Sequence, residues 1–264
     1  MKVSLSVAWE QVLDVSAGAN IQHAATKVTD RDTFISWTRL FAHLPIQRTK
    51  SAKIFQRGAP PLMRYYISDL HFFHENLNTQ MDCRGFKDAA QMNAYMIKQW
   101  NSRVRPKDEV VILGDFSVGK AKETNEVLSQ LNGTLYMIKG NHDSYLKDSE
   151  FNKERFVWIK PYAEMHDNRR KVVLSHYPIF CYNGQYRRNK KGEPLTYMLY
   201  GHVHDTLDEQ LVRQFCQITR ETKRQSKYDE EPMPIPCNMI NCFCMYSDYV
   251  PLTLDEWIDY YLIH

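Results

Sequence analysis

Seven side chains in this sequence have the types and spacing to hold metal ions: Asp69, His71, Asp115, Asn141, His176, His202 and His204. They fall in five short polar runs, Ser68-Asp69-Leu70-His71, Gly114-Asp115-Phe116-Ser117, Gly140-Asn141-His142-Asp143, Ser175-His176-Tyr177-Pro178 and Gly201-His202-Val203-His204. Carboxylate, amide and imidazole donors together suit Mn, Fe or Zn better than Mg or Ca, which prefer oxygen-only shells. One ion has too few positions for so many donors. Two ions roughly 3.5–4 Å apart share them readily when one carboxylate bridges, an arrangement typical of phosphate-ester hydrolysis. Asp115 is the candidate bridge. A lone Asp-x-His or His-x-His is more often a turn or a satisfied polar pair, but five such runs at equivalent places reverse that balance.

Those places are strand ends. Each polar run begins where an apolar run stops: Tyr65-Tyr66-Ile67, Val110-Val111-Ile112-Leu113, Leu135-Tyr136-Met137-Ile138, Val172-Val173-Leu174 and Tyr197-Met198-Leu199-Tyr200. Buried strands of an open α/β sheet deliver site residues at their carboxyl ends in this way. Gly114, Gly140 and Gly201 suit turns there, where a Cβ would hinder close backbone approach. Between the strands, Met92, Met96, Trp100 and Val104 predict a helix over Asp88 to Val104, packing one face on a sheet. A second helix is expected from about Lys120 to Leu131, with Val127 and Leu131 inward and Asn132-Gly133 closing it. Short strands are expected around Phe156 to Ile159, Lys171 to Leu174 and Cys237 to Cys244. Thr253-Leu254-Asp255-Glu256 is a capping box for a final helix through Trp257, Tyr260 and Leu262.

With these motifs in this order, the stretch from about Met63 to His264 resembles the calcineurin-like metallophosphoesterases. Their signature is Asp-x-His, Gly-Asp, Gly-Asn-His-Asp/Glu, a lone His and Gly-His-x-His. The resemblance implies an α/β fold: a four-layer αββα sandwich of two mixed β-sheets flanked by helices, with the metal site at strand carboxyl ends. It assigns Asp69, His71, Asp115 and His204 to a first metal, and Asp115, Asn141, His176 and His202 to a second. The implied cofactors are two divalent transition-metal ions, manganese first, with iron, zinc or nickel as alternatives. They would activate a hydroxide for in-line attack on a phosphate ester.

His142 matches the family's catalytic histidine, acting on the leaving oxygen or the phosphate charge, with Asp143 orienting its ring. The run through His74 and Arg84 resembles a bacterial and phage-type branch, in which both residues could face the substrate phosphate. Where many members carry a second Asp, and protein phosphatases then an Arg, this chain has Val118 and Gly119, which argues against a protein phosphatase. Phosphomonoesters and phosphodiesters, nucleotide-like ones included, both stay open. The competing reading is a non-catalytic metal-bound scaffold, since fold does not fix function.

The chain has 264 residues and a formal net charge of +3, a mild excess that is no argument for nucleic acid without clustering. No apolar run approaches the roughly 20 residues that span a bilayer. The start faintly resembles a signal peptide, but Glu10 and Asp14 interrupt any apolar core of one, so the expected location is cytoplasmic. Cys83, Cys181, Cys216, Cys237, Cys242 and Cys244 form no Cys-x-x-Cys pair and read as reduced, mostly buried thiols. Residues 1–62 read as an extension outside the 63–264 domain, either partly disordered or carrying one helix through Phe34, Trp37, Leu40, Phe41 and Leu44, with Met63 as a natural start. Residues 205–234 read as a charged, solvated insertion, with a helix suggested by Leu211, Phe215 and Ile218. The segment between His176 and His202 is expected to arch from the metals and return to them. Arg187 and Arg188 would then lie over the site as substrate-binding residues beside Tyr182 and Tyr186.

Overall fold

The computed structural model describes residues 61–225, 227 and 230–263; the expected helix through Phe34 and Leu44 lies outside the described residues. β1 (Arg64–Ile67), β2 (Glu109–Ile112), β3 (Thr134–Ile138) and β4 (Phe156–Lys160) form one sheet in chain order. All three pairings in it are parallel. Parallel neighbours need crossovers, and two helices supply the first two: α1 (Ala89–Arg103) and α2 (Ala121–Gln130). The Asp88 carboxylate caps α1 by accepting from the Gln91 N–H at 2.7 Å, and Glu123 accepts from Lys120 N at 2.8 Å where α2 starts.

The second sheet runs β10-β7-β6-β5, from β5 (Tyr162–Asp167), β6 (Arg170–Ser175), β7 (Thr196–Tyr200) and β10 (Met239–Asn241). It is mixed: β6, β7 and β10 are parallel, and β5 pairs antiparallel with β6. The β5–β6 hairpin turns on Asn168 and Arg169, both in the left-handed region at φ 45° and 68°, the geometry of a two-residue type I′ loop. The predicted Cys237 to Cys244 strand is shorter, but it continues as a ribbon that joins the sheets. Ser68 N donates to Cys242 O, Cys244 N donates to Ser68 O, and Cys242 N donates to Tyr200 O.

Alternation along the strands sorts the core into layers. Tyr65, Ile67, Val110 and Ile112 face outward onto Met92, Met96, Trp100, Val127 and Leu131 of the helical layer. Tyr66, Val111 and Leu113 face inward, against Val172, Leu174, Leu199 and Ile240 of the second sheet. Leu254 and Trp257 of the last helix, α4 (Leu254–Ile263), close that middle layer, and the Trp257 indole donates to Tyr66 O at 3.0 Å. The Thr253–Glu256 capping box forms as expected.

The outer face of the second sheet, Val173, Met198, Tyr200 and Met239, packs on Val212 and Cys216 of α3 (Leu207–Glu221). The layers are therefore helices, sheet, sheet, helix. The 205–234 segment supplies one of them, and its charged part carries a short hairpin, β8 (Lys223–Arg224) with β9 (Met233–Pro234). The face of α3 differs from the expected one: Leu211 and Ile218 are exposed, and the buried stripe runs one residue later, through Val212, Cys216 and Thr219. Buried Glu209 draws the helix in by accepting from Tyr200, Asn241 and Tyr261.

Candidate metal centre

The strand ends of both sheets meet where β1 lies beside the ribbon at Cys242. The turns there are tight: Asp69, His71, Asp115, His202 and His204 all have φ between 48° and 74°. Non-glycine residues in that region are uncommon, and strain of this kind gathers at functional sites. Backbone bonds lace the turns together, with Asp69 N donating to Gly114 O, His71 N to Asp115 O and Gly201 N to His176 O. Close approach explains two glycines. Gly114 has φ +92°, and a Cβ on it would run into the His176 ring; a Cβ on Gly140 would strike the Asp115 carboxylate.

Seven donor side chains converge as a result. Asp69, His71 and His204 form one group, and Asp115, His176 and His202 a second. His71 Nε2 lies 3.1 Å from His204 Nε2, and His204 Nε2 lies 3.8 Å from Asp69 Oδ1. Asp115 Oδ2 stands between the groups, 3.6 Å from His71 Nε2 and 3.3 Å from His176 Nε2. Asn141 Oδ1 is 3.0 Å from His176 Nε2. Donors about 2.1 Å from a transition metal stand about 3.0–3.4 Å apart, so the two groups fit divalent cations in both spacing and donor type.

The backs of the rings are fixed as well. His176 Nδ1 is 2.8 Å from Leu113 O, and His204 Nδ1 is 2.7 Å from Asp82 Oδ1. Asp82 was missed by sequence reasoning, and its signal was faint: an acid two residues before Arg84, in a loop with no regular period. Arg84 takes a different place from the expected one. Its guanidinium is buried, donating to Asp69 O, Leu70 O and Asp82, so it braces the Asp69-Leu70 turn from within.

Electrostatics follow the geometry. Burial alone would raise Asp115, but His176 and His71 hold its carboxyl down at about 2. Burial pulls His176 down, yet Asp115 and Asp69 outweigh it and lift the ring to about 9. Burial lowers His71 well below the ordinary imidazole range, and it lowers His202 too. Asp115, His71 and His202 thus favour the forms that bind cations, whereas His176 has a proton to lose before it can do so.

His142 is exposed at the mouth, its ring centroid 5.1 Å from His71 and 6.2 Å from that of half-buried His74. Burial, then His142 and Arg84, lower His74. Asp143 does not orient the His142 ring. Its carboxylate is fully buried and accepts from the backbone N–H groups of Asp115, Phe116 and Gly140 and from the Tyr145 hydroxyl. It clasps the second and third turns to each other.

Arg187 and Arg188 also lie elsewhere. Because β7 runs parallel to β6, the chain leaving His176 must travel back to the far end of the sheet before β7 begins. Arg187 O accepts from Leu195 N, and Arg188 bridges to Pro194; Pro194 and Leu195 are the two residues that lead into Thr196. The five residues of β7, about 16 Å of strand, then separate them from Gly201.

Residues 63–216 match the calcineurin-like phosphoesterase superfamily domain. An uncharacterized protein of Methanocaldococcus jannaschii is 42% identical over 100 residues, 36% of this chain and 56% of that protein. The Gene 66 protein of Mycobacterium phage L5 is 36% identical over 83 residues, 30% of this chain and 39% of that protein. The chain thus spans about half or less of the length of these curated relatives. Among solved structures, a protein of unknown function from Aquifex aeolicus shares the fold with a TM-score of 0.53 at 22% identity, over 74% of this chain and 97% of that one.

Proposed function

This chain belongs to the calcineurin-like phosphoesterase superfamily, and we propose that it hydrolyses phosphate esters at a pair of divalent transition-metal ions. The observation that supports this most is the placement of Asp115 Oδ2 between two donor groups that each have the makings of a metal site. Asp69, His71 and His204 would hold one ion, Asn141, His176 and His202 the other, and Asp115 both, with manganese the first candidate. When bound, such a pair lowers the pKa of water toward neutrality and neutralises phosphoryl oxygens.

The chain's own residues do the rest. His142, open to solvent beside His71, reaches a leaving oxygen at the mouth and gives it a proton or stabilises its charge. His74, held neutral by burial, offers a hydrogen bond on the same side. Asp82 holds His204, and Asp143 keeps Asp115 and the Asn141 turn in register. The substrate is a small phosphomonoester or phosphodiester, nucleotide-like esters included. Among the described residues no helix is long and apolar enough to cross a membrane.

The test is a panel of aryl monoesters, aryl diesters, cyclic nucleotides and short nucleic acids with added Mn²⁺, repeated after chelation. Turnover that needs metal supports the reading. Turnover unchanged by chelation, or none on any ester, removes it.

A further inference from the structure

Beside the candidate metal centre lies a groove of about 300 Å³ that shares Asn141 with it, and the reaction described above gives no role to its Lys139, Lys147 or Tyr177. Its lining includes Lys139 and Lys147, both exposed and neither in an ion pair among the described residues. Tyr177 stands in the lining as well, with 48% of its surface open. Its ring packs edge-on against His202 and His176, with centroids 4.6 Å and 5.1 Å away, so its place is fixed by the metal ligands themselves. The acid in the lining is Asp143, whose carboxylate is turned inward onto backbone N–H groups. The lining therefore combines two cations, an exposed aromatic ring and Asn141 of the candidate metal centre.

We infer that this groove is a substrate subsite that takes the part of the ester carrying a second phosphate and, against Tyr177, a planar base. The inference rests on the phosphoesterase reading. Two unpaired ammonium groups match an added phosphate in charge, and an exposed phenol ring offers a face to a base. Charge focused in a cleft also raises the local concentration of anions. The cation-and-aromatic role expected of the distant Arg187 and Arg188 falls here to a different strand end, that of β3, where Lys139 directly precedes the Gly140-Asn141 turn.

Matched pairs of substrates test this with the full-length, Mn-loaded protein. Thymidine 3′-monophosphate and thymidine 3′,5′-bisphosphate form one pair, and the dinucleotide TpT with and without a 5′-phosphate the other; a p-nitrophenyl ester serves as reference. The member with the extra phosphate is expected to have a KM at least about tenfold lower than its mate. Lys139→Ala with Lys147→Ala should erase that difference while leaving metal content, melting temperature and the p-nitrophenyl reaction near those of the parent. Tyr177→Ala should raise KM for both nucleotide members of a pair alike, leaving the ratio between them unchanged; unaltered KM values for both would remove the base from the subsite. Equal KM values within a pair, or a difference that survives loss of both lysines, overturns the subsite while p-nitrophenyl turnover keeps the phosphoesterase reading. Absence of turnover on every ester overturns both.

Discussion

His142 and His176 occupy the same cluster in opposite settings, one exposed and one buried. The His142 ring faces solvent, so His142→Ala should lower kcat by roughly 10²–10⁴-fold with metal content unchanged, as read by single-turnover kinetics beside elemental analysis. Loss of metal in that variant would make His142 a ligand. Burial lowers His176, but Asp115, 3.3 Å away, and Asp69 outweigh it and lift the ring to about 9 from an ordinary 6.5. In the metal-free protein the protonated ring therefore favours the fold fully below pH 6.5, and that contribution fades as pH climbs through 9. A cation needs the same ring unprotonated, so below pH 9 metal uptake must expel its proton. Apparent metal affinity should rise with pH, by up to about tenfold per unit, and level off above 9. Calorimetric titrations with Mn²⁺ at pH 6.5, 7.5 and 8.5, in buffers of different ionisation enthalpy, measure both the slope and the released proton. A flat response would show that the ring is already neutral.

At the scale of turns and strands, Asp143 shows where sequence reading reached and where it stopped. A motif names a residue type at a position, and at that resolution the seven donors were legible because each follows an apolar strand. It does not say which partner a carboxylate chooses, and Asp143 chose four donors that belong to the turns around it. Asp143→Ala should therefore destabilise the fold by about 3 kcal/mol or more, since it leaves buried N–H groups without acceptors. Urea melts and metal titration check this; a stable variant that lost only kcat would return Asp143 to the His142 ring. Helix α1 was legible from its four-residue spacing, whereas α3 was read on a neighbouring face because Leu211 and Ile218 outweighed smaller Val212 and Cys216. β5 was missed because only Ala163 of its six residues is buried, leaving little apolar alternation to find. The place of Arg187 and Arg188 turned on strand direction, which no local pattern carries.

For the whole molecule, the question is whether residues 61–264 suffice. Among the described residues the three apolar clusters run from Met63 to Tyr261 and are built from strands and helices of that span. Its first residues are tied down locally: Arg105 donates to Pro61 O at 2.7 Å, and Met63 N donates to Asp108 Oδ1 at 3.2 Å. Asp108 in turn is held near pKa 2, chiefly by its hydrogen bond to Arg105, so the start of β1 is anchored by an ionised carboxylate at any pH above about 4. Both sheets, all seven donors and the Lys139–Lys147 groove lie downstream of that anchor. A chain begun at Pro61 is therefore expected to melt within a few degrees of the full-length protein, bind the same amount of Mn²⁺ and keep kcat within about twofold. Differential scanning calorimetry with and without metal, beside turnover of a p-nitrophenyl ester, decides it. If the shortened chain aggregates, or melts much lower while the full chain does not, then residues 1–60 cover apolar surface and belong to the working domain. If it melts normally but loses turnover, they contribute to the site itself.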